Sequence, residues 1–246
     1  MTLDILAFAA HPDDAELGCG GSLILAADNG LKVSIVDLTA AEMSSRGNVD
    51  TRREEAAEAS RRLGLAERQN LDLPDTQIGS DPAHQLAIIH LIRKTKPRIV
   101  LAPYWEDRHP DHEATGRLVR EACFLAGVGK VGEGPPHRPA RICYYMISHP
   151  FDPSFVVDIS SVWDRKVEAV SAYESQFDPT REGPDTPISR PGFMELIEGR
   201  SIWFGKMIGA AYGEPFFMPG PVPLREVPGA SDGRPKLNSM PPYSMY

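Results

Sequence analysis

The chain has 246 residues, of which 41% are hydrophobic, and its formal net charge is −8. This length suits one α/β domain with a sizeable core, and the acidic balance excludes the clustered Lys and Arg of a nucleic-acid-binding surface. A small-molecule substrate is therefore favoured. The sequence has no run of about 18 uncharged apolar residues and no signal-peptide pattern, so we expect no membrane span and a cytoplasmic protein with its three cysteines reduced.

Strand and helix patterns alternate through the first half of the chain. Residues 3–10 are nearly all apolar, which is typical of a parallel strand covered on both faces. Such alternation predicts βαβ units and an α/β fold with a mainly parallel sheet. The predicted strands are 3–10, 31–38, 69–73 and 98–102, and the predicted helices are 17–29, 51–63, 82–95 and 111–127.

The pattern changes after residue 129, where Gly and Pro become frequent. We expect two strands there that extend the sheet or pair as a hairpin, followed by two helices. We assign residues 1–217 to one catalytic domain and residues 218–246 to a Pro-rich, extended tail. The strands are predicted at 142–147 and 155–157, and the helices at 162–176 and 192–211.

Two similar His/Asp clusters follow predicted strands. Residues 11–14 read HPDD and come directly after the first strand, whereas residues 109–112 read HPDH and follow the strand at 98–102. In an open α/β sheet, ligands bind outside the carboxyl ends of the strands. We therefore expect the two clusters to converge on one site at that edge of the sheet.

The chemistry of these side chains indicates a metal-dependent hydrolase. Imidazole and carboxylate ligands suit Zn²⁺, with Fe²⁺ or Co²⁺ as substitutes. Two ligands from the first cluster and one from the second would leave a coordination position for water. The remaining groups fit amide or ester hydrolysis: Asp13 as the proton acceptor, His109 as the oxyanion stabiliser, and Asp111 as the group that holds an imidazole in place.

A structural interpretation stands beside the metal site. Each cluster on its own could be a strand-end turn whose Asp caps the next helix, but two such clusters at equivalent positions favour a metal centre. Gly20 and Gly21 follow the first cluster without the G-x-G-x-x-G spacing of a dinucleotide site. We expect these small residues to bring the helix close to the sheet, and we expect no nucleotide cofactor.

Several polar side chains are candidates for contacts with the substrate. Arg46, Arg52 and Arg108 lie near predicted strand ends or helix starts, where a guanidinium can grip a carboxylate or a sugar hydroxyl. The alternative is a solvated charged face, which is the favoured interpretation for Arg53 on its charged helix. Asp75 is a candidate for binding a sugar hydroxyl or for a role in a turn.

Two motifs in combination resemble a known enzyme family. The sequences AHPDDAELGCGG and RHPDHEATG resemble those of the LmbE and PIG-L type zinc-dependent N-acetylglucosaminyl deacetylases. Further segments, up to about residue 217, are similar to the bacillithiol-biosynthesis branch, the N-acetylglucosaminyl-malate deacetylases. These segments are EMSSRGNVDTRREEA, YWEDRHPDH, FVVDIS, AYESQF and GKMIGAAYGEPF.

The resemblance implies a Rossmann-like three-layer sandwich and a role for each matching residue. It implies that His11, Asp14 and His112 bind zinc, that Asp13 is the general base, and that His109 polarises the carbonyl and stabilises the oxyanion. It also implies that Arg52 faces an N-acetyl amino-sugar substrate and that the chain forms a homo-oligomer, such as the hexamers common among relatives.

One position departs from a related branch of the family. Mycothiol-pathway deacetylases carry Tyr two residues before the first His of the second motif, whereas this chain has Asp107. The difference fits the bacillithiol branch and N-acetylglucosaminyl-malate as the substrate. The alternatives are deacetylation of another N-acetyl sugar, hydrolysis of another bond such as a phosphoester, and a zinc-containing sugar-binding protein without catalysis.

Overall fold

The structure is a computed structural model that describes residues 2–222. Most of the predicted tail at 218–246 therefore lies outside the described residues. The described strands are β1 (Ile5–Ala9), β2 (Val33–Asp37), β3 (Glu67–Asn70), β4 (Ile99–Pro103), β5 (Arg141–Tyr145), β6 (Phe155–Asp158) and β7 (Gly213–Phe217). The described helices are α1 (Asp14–Asp28), α2 (Val49–Leu63), α3 (Pro82–Thr95), α4 (Pro110–Leu125), α5 (Trp163–Ser171), α6 (Glu174–Phe177) and α7 (Phe193–Met207).

The strands form one seven-stranded sheet in the order β3-β2-β1-β4-β5-β7-β6. Pairings from β3 through β5 are all parallel, and β7 runs antiparallel to both of its neighbours. Two buried apolar clusters cover the two faces of the sheet, one containing residues of α1, α2 and α5 and the other residues of α3 and α4. The predicted three-layer α/β fold with a mainly parallel sheet is confirmed.

Adjacent strands β1 and β4 place the two His/Asp clusters side by side. Ile5 pairs with Ile99, and Ala7 pairs with Leu101, so the two strands run in the same direction and end at the same edge. The strand order reverses at this point, because the chain moves outward from β1 through β2 and β3 and then crosses to β4. Ligands of open α/β sheets bind at such a switch point.

Local signals explain where α2 begins and ends and where α3 begins. The Asn48 side chain accepts a hydrogen bond from the backbone N of Thr51 at the start of α2, and Gly64 ends that helix at φ 73°. Helix α3 has the predicted bounds: Asp81 caps its first turn and Pro82 occupies the first helical position. These caps are visible in the sequence, which is why both helices could be predicted.

The predicted elements and the structure differ most clearly at α1, at β3, in the helix predicted at 162–176 and at β7. Helix α1 begins at Asp14 rather than at residue 17, and β3 ends at Asn70. The helix predicted at 162–176 is divided into α5 and α6, because the backbone leaves the helical conformation at Tyr173 (φ −86°, ψ 61°). Strand β7 was not predicted, and it separates β5 from β6, so those two strands extend the sheet without forming a hairpin.

Helix α1 packs very close to the sheet, as expected for its small residues. A Cβ atom added at Gly18 would lie 2.1 Å from Cδ2 of Tyr145, and one added at Gly21 would lie 2.8 Å from Cγ2 of Ile159. The backbone N of Gly21 also donates a hydrogen bond of 2.8 Å to Glu214 Oε1. Glycine at these positions thus permits contacts that any side chain would block.

Glu214 of β7 is buried and connects this strand to α5 and to α1. Lys166 Nζ lies 2.6 Å from Glu214 Oε1, and both side chains are almost completely buried. Glu214 Oε2 accepts hydrogen bonds from the backbone N and the hydroxyl of Ser22 in α1. Because every charged atom has a partner, the pair avoids the cost of an isolated buried charge.

None of the helices described is both long enough and apolar enough to cross a bilayer.

Candidate active site

The carboxyl ends of β1 and β4 open into a cavity of about 580 Å³. Its inner side, which we call the catalytic floor, consists of the side chains of His11, Asp13, Asp14, Arg52, Asp75, His109 and His112, and all seven line the cavity. Both predicted clusters therefore meet in one place, as expected from the position of the strands.

Three imidazoles lie against one another at the catalytic floor. The ring centroids of His11 and His109 are 4.9 Å apart, those of His109 and His112 are 4.8 Å apart, and those of His11 and His112 are 5.6 Å apart. His11 and His109 are half-buried and His112 is buried. Their ring nitrogens are thus close enough to act on a single ion or a single substrate group.

Asp14 lies between two of these imidazoles. Its Oδ1 is 3.0 Å from His112 Nε2, and its Oδ2 is 3.5 Å from His11 Nδ1. Burial opposes ionisation of Asp14, but the charges and hydrogen bonds of the two imidazoles outweigh burial and hold the pKa of this carboxyl well below its usual range. The three ligands predicted from the sequence are therefore in mutual contact.

The other nitrogen of each imidazole faces a second carboxylate. His11 Nε2 lies 3.1 Å from Asp75 Oδ1 and 3.4 Å from Asp111 Oδ2. His112 Nδ1 lies 2.9 Å from Asp107 Oδ1. Histidine ligands of metal ions usually donate their second ring N–H to such a carboxylate, which fixes the tautomer and the ring orientation.

Asp107 is a site residue that the sequence indicated only as a departure from a related pattern. Besides His112, its Oδ1 accepts a hydrogen bond from the backbone N of His109, and its Oδ2 accepts from the backbone N of Ser148 and of His149. Asp107 thus connects the second cluster to the loop after β5. Its position five residues before His112 was the available signal, since a carboxylate there can reach the ring across the helix start.

The placement of Asp75 and Asp111 changes one expectation. Asp111, expected to hold an imidazole, lies near His11 and also accepts a hydrogen bond from the backbone N of Thr76. Asp75, expected to bind a sugar hydroxyl, instead contacts His11 through Oδ1 and accepts a hydrogen bond from the backbone N of Met43 through Oδ2. Both of its oxygens thus have protein partners, but Asp75 also lines the cavity, so its contact with a sugar hydroxyl stays a prediction.

Asp13 is held by Arg52 in an unusual backbone conformation. Arg52 Nη1 lies 2.8 Å from Asp13 Oδ2 and also donates to the backbone carbonyl of Pro12. Burial raises the pKa of Asp13 to about 6, although the charge of Arg52 opposes this shift. Asp13 has φ 123°, which is rare outside glycine, and strained backbone of this kind clusters at functional sites.

His109 occupies the remaining place at the catalytic floor. Its Nδ1 accepts a hydrogen bond of 3.2 Å from the backbone N of Asp111, so in the neutral ring the proton is on Nε2. Burial, together with the charges of His11 and His112, lowers the pKa of His109. A neutral ring with an Nε2–H can donate a hydrogen bond to an oxygen atom in the cavity.

The structure separates the predicted substrate-binding arginines. Arg52 and Arg108 line the cavity, but Arg46 does not. The guanidinium of Arg46 instead donates to the backbone carbonyls of the segment 175–184, at Ser175, Asp178, Arg181 and Pro184. This corrects the expectation that Arg46 binds the substrate, because its guanidinium donates to backbone carbonyls and does not line the cavity. Arg108 is exposed and makes no hydrogen bond or ion pair with any residue of 2–222.

The donor set fits a divalent cation. Within the described residues, two groups of three side chains have ligand atoms that all lie within 4.8 Å of one another: His11, His109 and His112, and His11, Asp75 and Asp111. Five buried carboxylates lie at the floor or contact its imidazoles: Asp13, Asp14, Asp75, Asp107 and Asp111. Among the described residues, Arg52 is the arginine paired with one of them, Asp13. Burial of so much negative charge is costly unless a cation neutralises it. The carboxylates accordingly raise the pKa of His112 to about 9, although burial opposes the shift.

Known proteins share this sequence and fold. The PIG-L family, described as GlcNAc-PI de-N-acetylase, matches residues 6–123. Diacetylchitobiose deacetylase from Thermococcus kodakarensis is 31% identical over 233 residues, which cover 88% of this chain and 83% of that protein. A probable N-acetyl-alpha-D-glucosaminyl L-malate deacetylase 2 from Bacillus cereus is 27% identical over 76% of this chain and 90% of its own length.

Two further similarities bear on fold and function. The crystal structure of the conserved protein TT1542 from Thermus thermophilus superimposes with a TM-score of 0.83 at 43% identity and covers 92% of this chain and 98% of that one. A 4-oxalmesaconate hydratase from Pseudomonas putida is 28% identical over 70% of this chain and 73% of its own length. The match to the chitobiose deacetylase spans most of both proteins. This chain belongs to the PIG-L family of deacetylases and is a hydrolase of N-acetyl amides in N-acetylglucosamine-like compounds.

Proposed function

We propose that the chain removes the acetyl group from the N-acetylglucosamine unit of a small conjugate by metal-dependent hydrolysis of the amide. The observation that carries this proposal is the position of Asp13 and His109. Both line the same cavity as His11, Asp14 and His112, and neither belongs to the predicted set of metal ligands. A protein that only bound metal and sugar would need no proton acceptor and no hydrogen-bond donor at this place.

In this proposal His11, Asp14 and His112 hold one Zn²⁺, for which Fe²⁺ or Co²⁺ can substitute. The contacts of Asp14 with one nitrogen of each ring support this choice, and so do the carboxylates that face the other nitrogens. A zinc ion held there would supply a Lewis acid for the amide carbonyl and would lower the pKa of a water molecule.

Asp13 serves as the proton acceptor for the attacking water. Its Oδ2 is held by Arg52, and its Oδ1 makes no hydrogen bond with any other residue of the described chain. That oxygen is free to take a proton from water and to return it to the amide nitrogen as the C–N bond breaks. An amine leaves readily only when it is protonated, so the same carboxylate acts first as base and then as acid.

His109 stabilises the negative charge that develops on the carbonyl oxygen. The backbone N of Asp111 occupies its Nδ1, which leaves the Nε2–H to donate toward the cavity. A donor that is already in place when the charge forms needs no reorganisation, and loss of one such donor typically costs about 10²- to 10³-fold in kcat. The products are acetate and the free amino sugar.

Two considerations suggest which N-acetylglucosamine conjugate is the substrate. The sequence resemblance predicts N-acetylglucosaminyl-malate, and Arg108 is the guanidinium at the cavity with donors free for a carboxylate. The relative from Thermococcus kodakarensis makes diacetylchitobiose the second candidate. The cytoplasmic location and the hexameric assembly expected from the sequence remain part of this proposal.

Hydrolysis of a phosphoester is the less favoured reaction. Sites for that chemistry often use two metal ions about 3.5 to 4 Å apart. Both candidate ligand groups within residues 2–222 contain His11, so they cannot be filled independently. The hydratase reaction of the Pseudomonas putida relative would add water to the substrate and release no acetate.

The deciding experiment measures acetate release by metal-stripped protein, with and without one equivalent of zinc. The compounds are N-acetylglucosaminyl-malate, diacetylchitobiose and free N-acetylglucosamine, with a phosphomonoester as the control for the rival reaction. We expect zinc-dependent acetate release in stoichiometric amounts with new free amine. Zinc binding without acetate release from any N-acetyl compound would refute the proposed reaction, and preference between the two conjugates would identify the finer substrate.

A further inference from the structure

The guanidinium that holds Asp13 has further contacts that the proposed reaction does not explain. Arg52 Nη1 donates to Asp13 Oδ2 and to the backbone carbonyl of Pro12. The same guanidinium is also connected to residues 173–176, directly through a ring and indirectly through a hydroxyl group. These residues belong to the segment AYESQF, to which the sequence assigned no role.

The first connection is an aromatic contact. The Cζ atom of Arg52 lies over the Tyr173 ring, 5.8 Å from its centroid. A guanidinium within about 6 Å of an aromatic ring is attracted by the negative face of the ring. Tyr173 is completely buried, so water does not compete for this contact. The ring therefore limits the orientations that the guanidinium can take.

The hydroxyl of Tyr173 is fixed in a buried network of charged groups. It donates a hydrogen bond of 2.9 Å to Glu16 Oε1, which also accepts a bond of 2.6 Å from Arg68 Nη1. Arg68 in turn binds both carboxylate oxygens of Asp37, at 2.7 and 2.8 Å. Removal of one partner from such a buried network is strongly unfavourable, so the Tyr173 ring has little freedom to move.

The second connection passes through Ser44. Arg52 Nη2 donates to Ser44 Oγ at 3.4 Å, and Ser44 Oγ lies 3.3 Å from Gln176 Oε1. Gln176 is buried. Arg52 Nε is also buried and has no hydrogen-bond partner among the described residues. Orientation of the guanidinium thus depends on its two Nη atoms and on the Tyr173 ring.

The break between α5 and α6 attaches this segment to the helix that carries Arg52. The backbone leaves the helical conformation at Tyr173, and the next turn begins at Glu174. The backbone N and the hydroxyl of Ser175 then donate to the two carboxylate oxygens of Glu55, at 2.6 and 2.8 Å. Glu55 lies three residues after Arg52 on α2. The ring and the guanidinium are therefore held together at both the side chains and the backbone.

We propose that Tyr173 is a positioning residue for the reaction: it fixes the Arg52 guanidinium and, through it, the carboxylate and the backbone of Asp13. This inference rests on the proposed role of Asp13 as the proton acceptor. Tyr173 does not line the cavity, so it affects the reaction only through Arg52. A displacement of about 1 Å caused by a distant substitution can lower the rate about 10²-fold.

The test is a double-variant cycle between Tyr173 and Arg52. In the zinc-loaded protein, we expect Tyr173→Leu to lower kcat for acetate release at least about tenfold, with a smaller change in KM, because the proton acceptor is displaced. Tyr173→Phe keeps the ring against Arg52 and should recover most of kcat. When Arg52→Gln is already present, Tyr173→Leu should lower kcat less than about twofold, because residues in one contact network are not additive.

Tyr212→Leu is the matched control. The Tyr212 ring stacks on Trp163 at a centroid distance of 4.3 Å, and its hydroxyl donates to Glu198. This variant therefore also loses a ring contact and a bond from a hydroxyl to a carboxylate. Tyr212 lies outside the cavity lining, so the variant should leave kcat unchanged, with or without Arg52→Gln.

Two outcomes would overturn the positioning role. One is a full, additive loss of kcat when Tyr173→Leu is combined with Arg52→Gln, and the other is a change confined to KM. If Tyr173→Leu does not fold, Tyr173→Met replaces it in the same cycle, because the flexible methionine side chain fills irregular space.

Urea denaturation of the same four proteins separates this inference from the proposed reaction. The drop in the unfolding midpoint of the double variant should be smaller than the sum of the two single drops, whether or not acetate is released. Additive midpoints would refute the contact between Tyr173 and Arg52. Coupled midpoints together with normal turnover in Asp13→Asn would instead retain the contact and refute the role of Asp13.

Discussion

Arg52 Nη1 lies 2.8 Å from Oδ2 of Asp13, and both side chains are buried at the catalytic floor. The same guanidinium donates to the carbonyl of Pro12, the residue before Asp13. Arg52 therefore holds both the side chain and the backbone of the proposed general base, whose φ of 123° is otherwise unfavourable. We propose that Arg52 positions Asp13; the substrate contact expected from the sequence stays a prediction, because Arg52 also lines the cavity.

Replacement of Arg52 should reduce turnover more than substrate binding. We expect Arg52→Gln to lower kcat at least about tenfold with a smaller change in KM, because the Asp13 carboxylate loses its charged hydrogen-bond partner. Arg52→Lys keeps the charge but not the planar guanidinium that reaches both Asp13 and the Pro12 carbonyl, so it should recover only part of kcat. A change confined to KM in both variants would instead indicate a substrate contact. Steady-state kinetics of acetate release provides the measurement.

Asp13→Asn should abolish turnover and leave zinc binding intact. Asparagine keeps the shape of the side chain but cannot accept a proton from water, so we expect kcat to fall by about 10²-fold or more. Zinc content by atomic emission should remain near one per chain. Asp164→Asn, on the exposed start of α5, is the matched control and should behave as the parent. Normal kcat in Asp13→Asn would remove Asp13 from the mechanism.

Asp107→Asn should weaken the metal site. The carboxylate accepts from His112 Nδ1 and from three backbone N–H groups, so the amide would lose the charge that holds the ring and could turn an N–H toward a donor. Loss of such a partner typically costs about 10- to 100-fold in metal affinity. Competition with a chelating dye measures the affinity. An unchanged zinc affinity would show that His112 does not depend on Asp107 for its orientation.

Two glycine variants should change stability in opposite directions. In Gly18→Ala the new methyl group would lie 2.1 Å from the buried ring of Tyr145, whose hydroxyl is bonded to the carbonyl of Phe8 and cannot easily move. Overpacking of this kind typically costs about 1–3 kcal/mol. Gly199→Ala meets no atom within 4 Å inside α7 and should stabilise by about 0.5–1 kcal/mol. Urea denaturation measures the change in stability of each variant. Equal unfolding midpoints for the two variants would contradict the packing described around Gly18 and Gly199.

Arg46→Lys should destabilise the fold. One ammonium cannot replace guanidinium donors that reach four separate carbonyls, so several acceptors would lose their partners. We expect a loss of about 1–3 kcal/mol in the free energy of unfolding. Arg53→Lys on the exposed face of α2 is the control and should change stability by less than about 0.5 kcal/mol. A stable Arg46→Lys with lower affinity for a substrate carboxylate would restore the original expectation for Arg46.

Secondary structure with a local sequence signal could be predicted from the sequence. Strands β1, β2 and β4 are short apolar runs, and α3 is bounded by Asp81, Pro82 and a change of pattern, so each could be found within a few residues. The two His/Asp clusters could be assigned to one edge because the direction of parallel strands is fixed by their connections. The candidate metal site was predicted from that placement.

Features that depend on distant partners could not be predicted in this way. Strand β7 contains Gly213, Glu214 and Pro215, which normally argue against an interior strand. Glu214 is accommodated because Lys166 and Ser22 supply its partners from elsewhere in the chain. The carbonyls that bind Arg46 lie about 130 residues further along the chain, and no residue near Arg46 in the sequence indicates these contacts.

The position of β7 has a consequence for synthesis of the chain on the ribosome. Strand β6 pairs with β7 and with no other described strand, and β7 is the last described strand to be made. Five parallel strands can assemble while the chain emerges, but Phe155–Asp158 must wait for Gly213–Phe217 before it gains a hydrogen-bonded neighbour. A nascent chain halted before residue 213 would therefore expose the edge of β5 and the apolar side of α7. The described sheet can therefore be completed only after residues 213–217 have been synthesised.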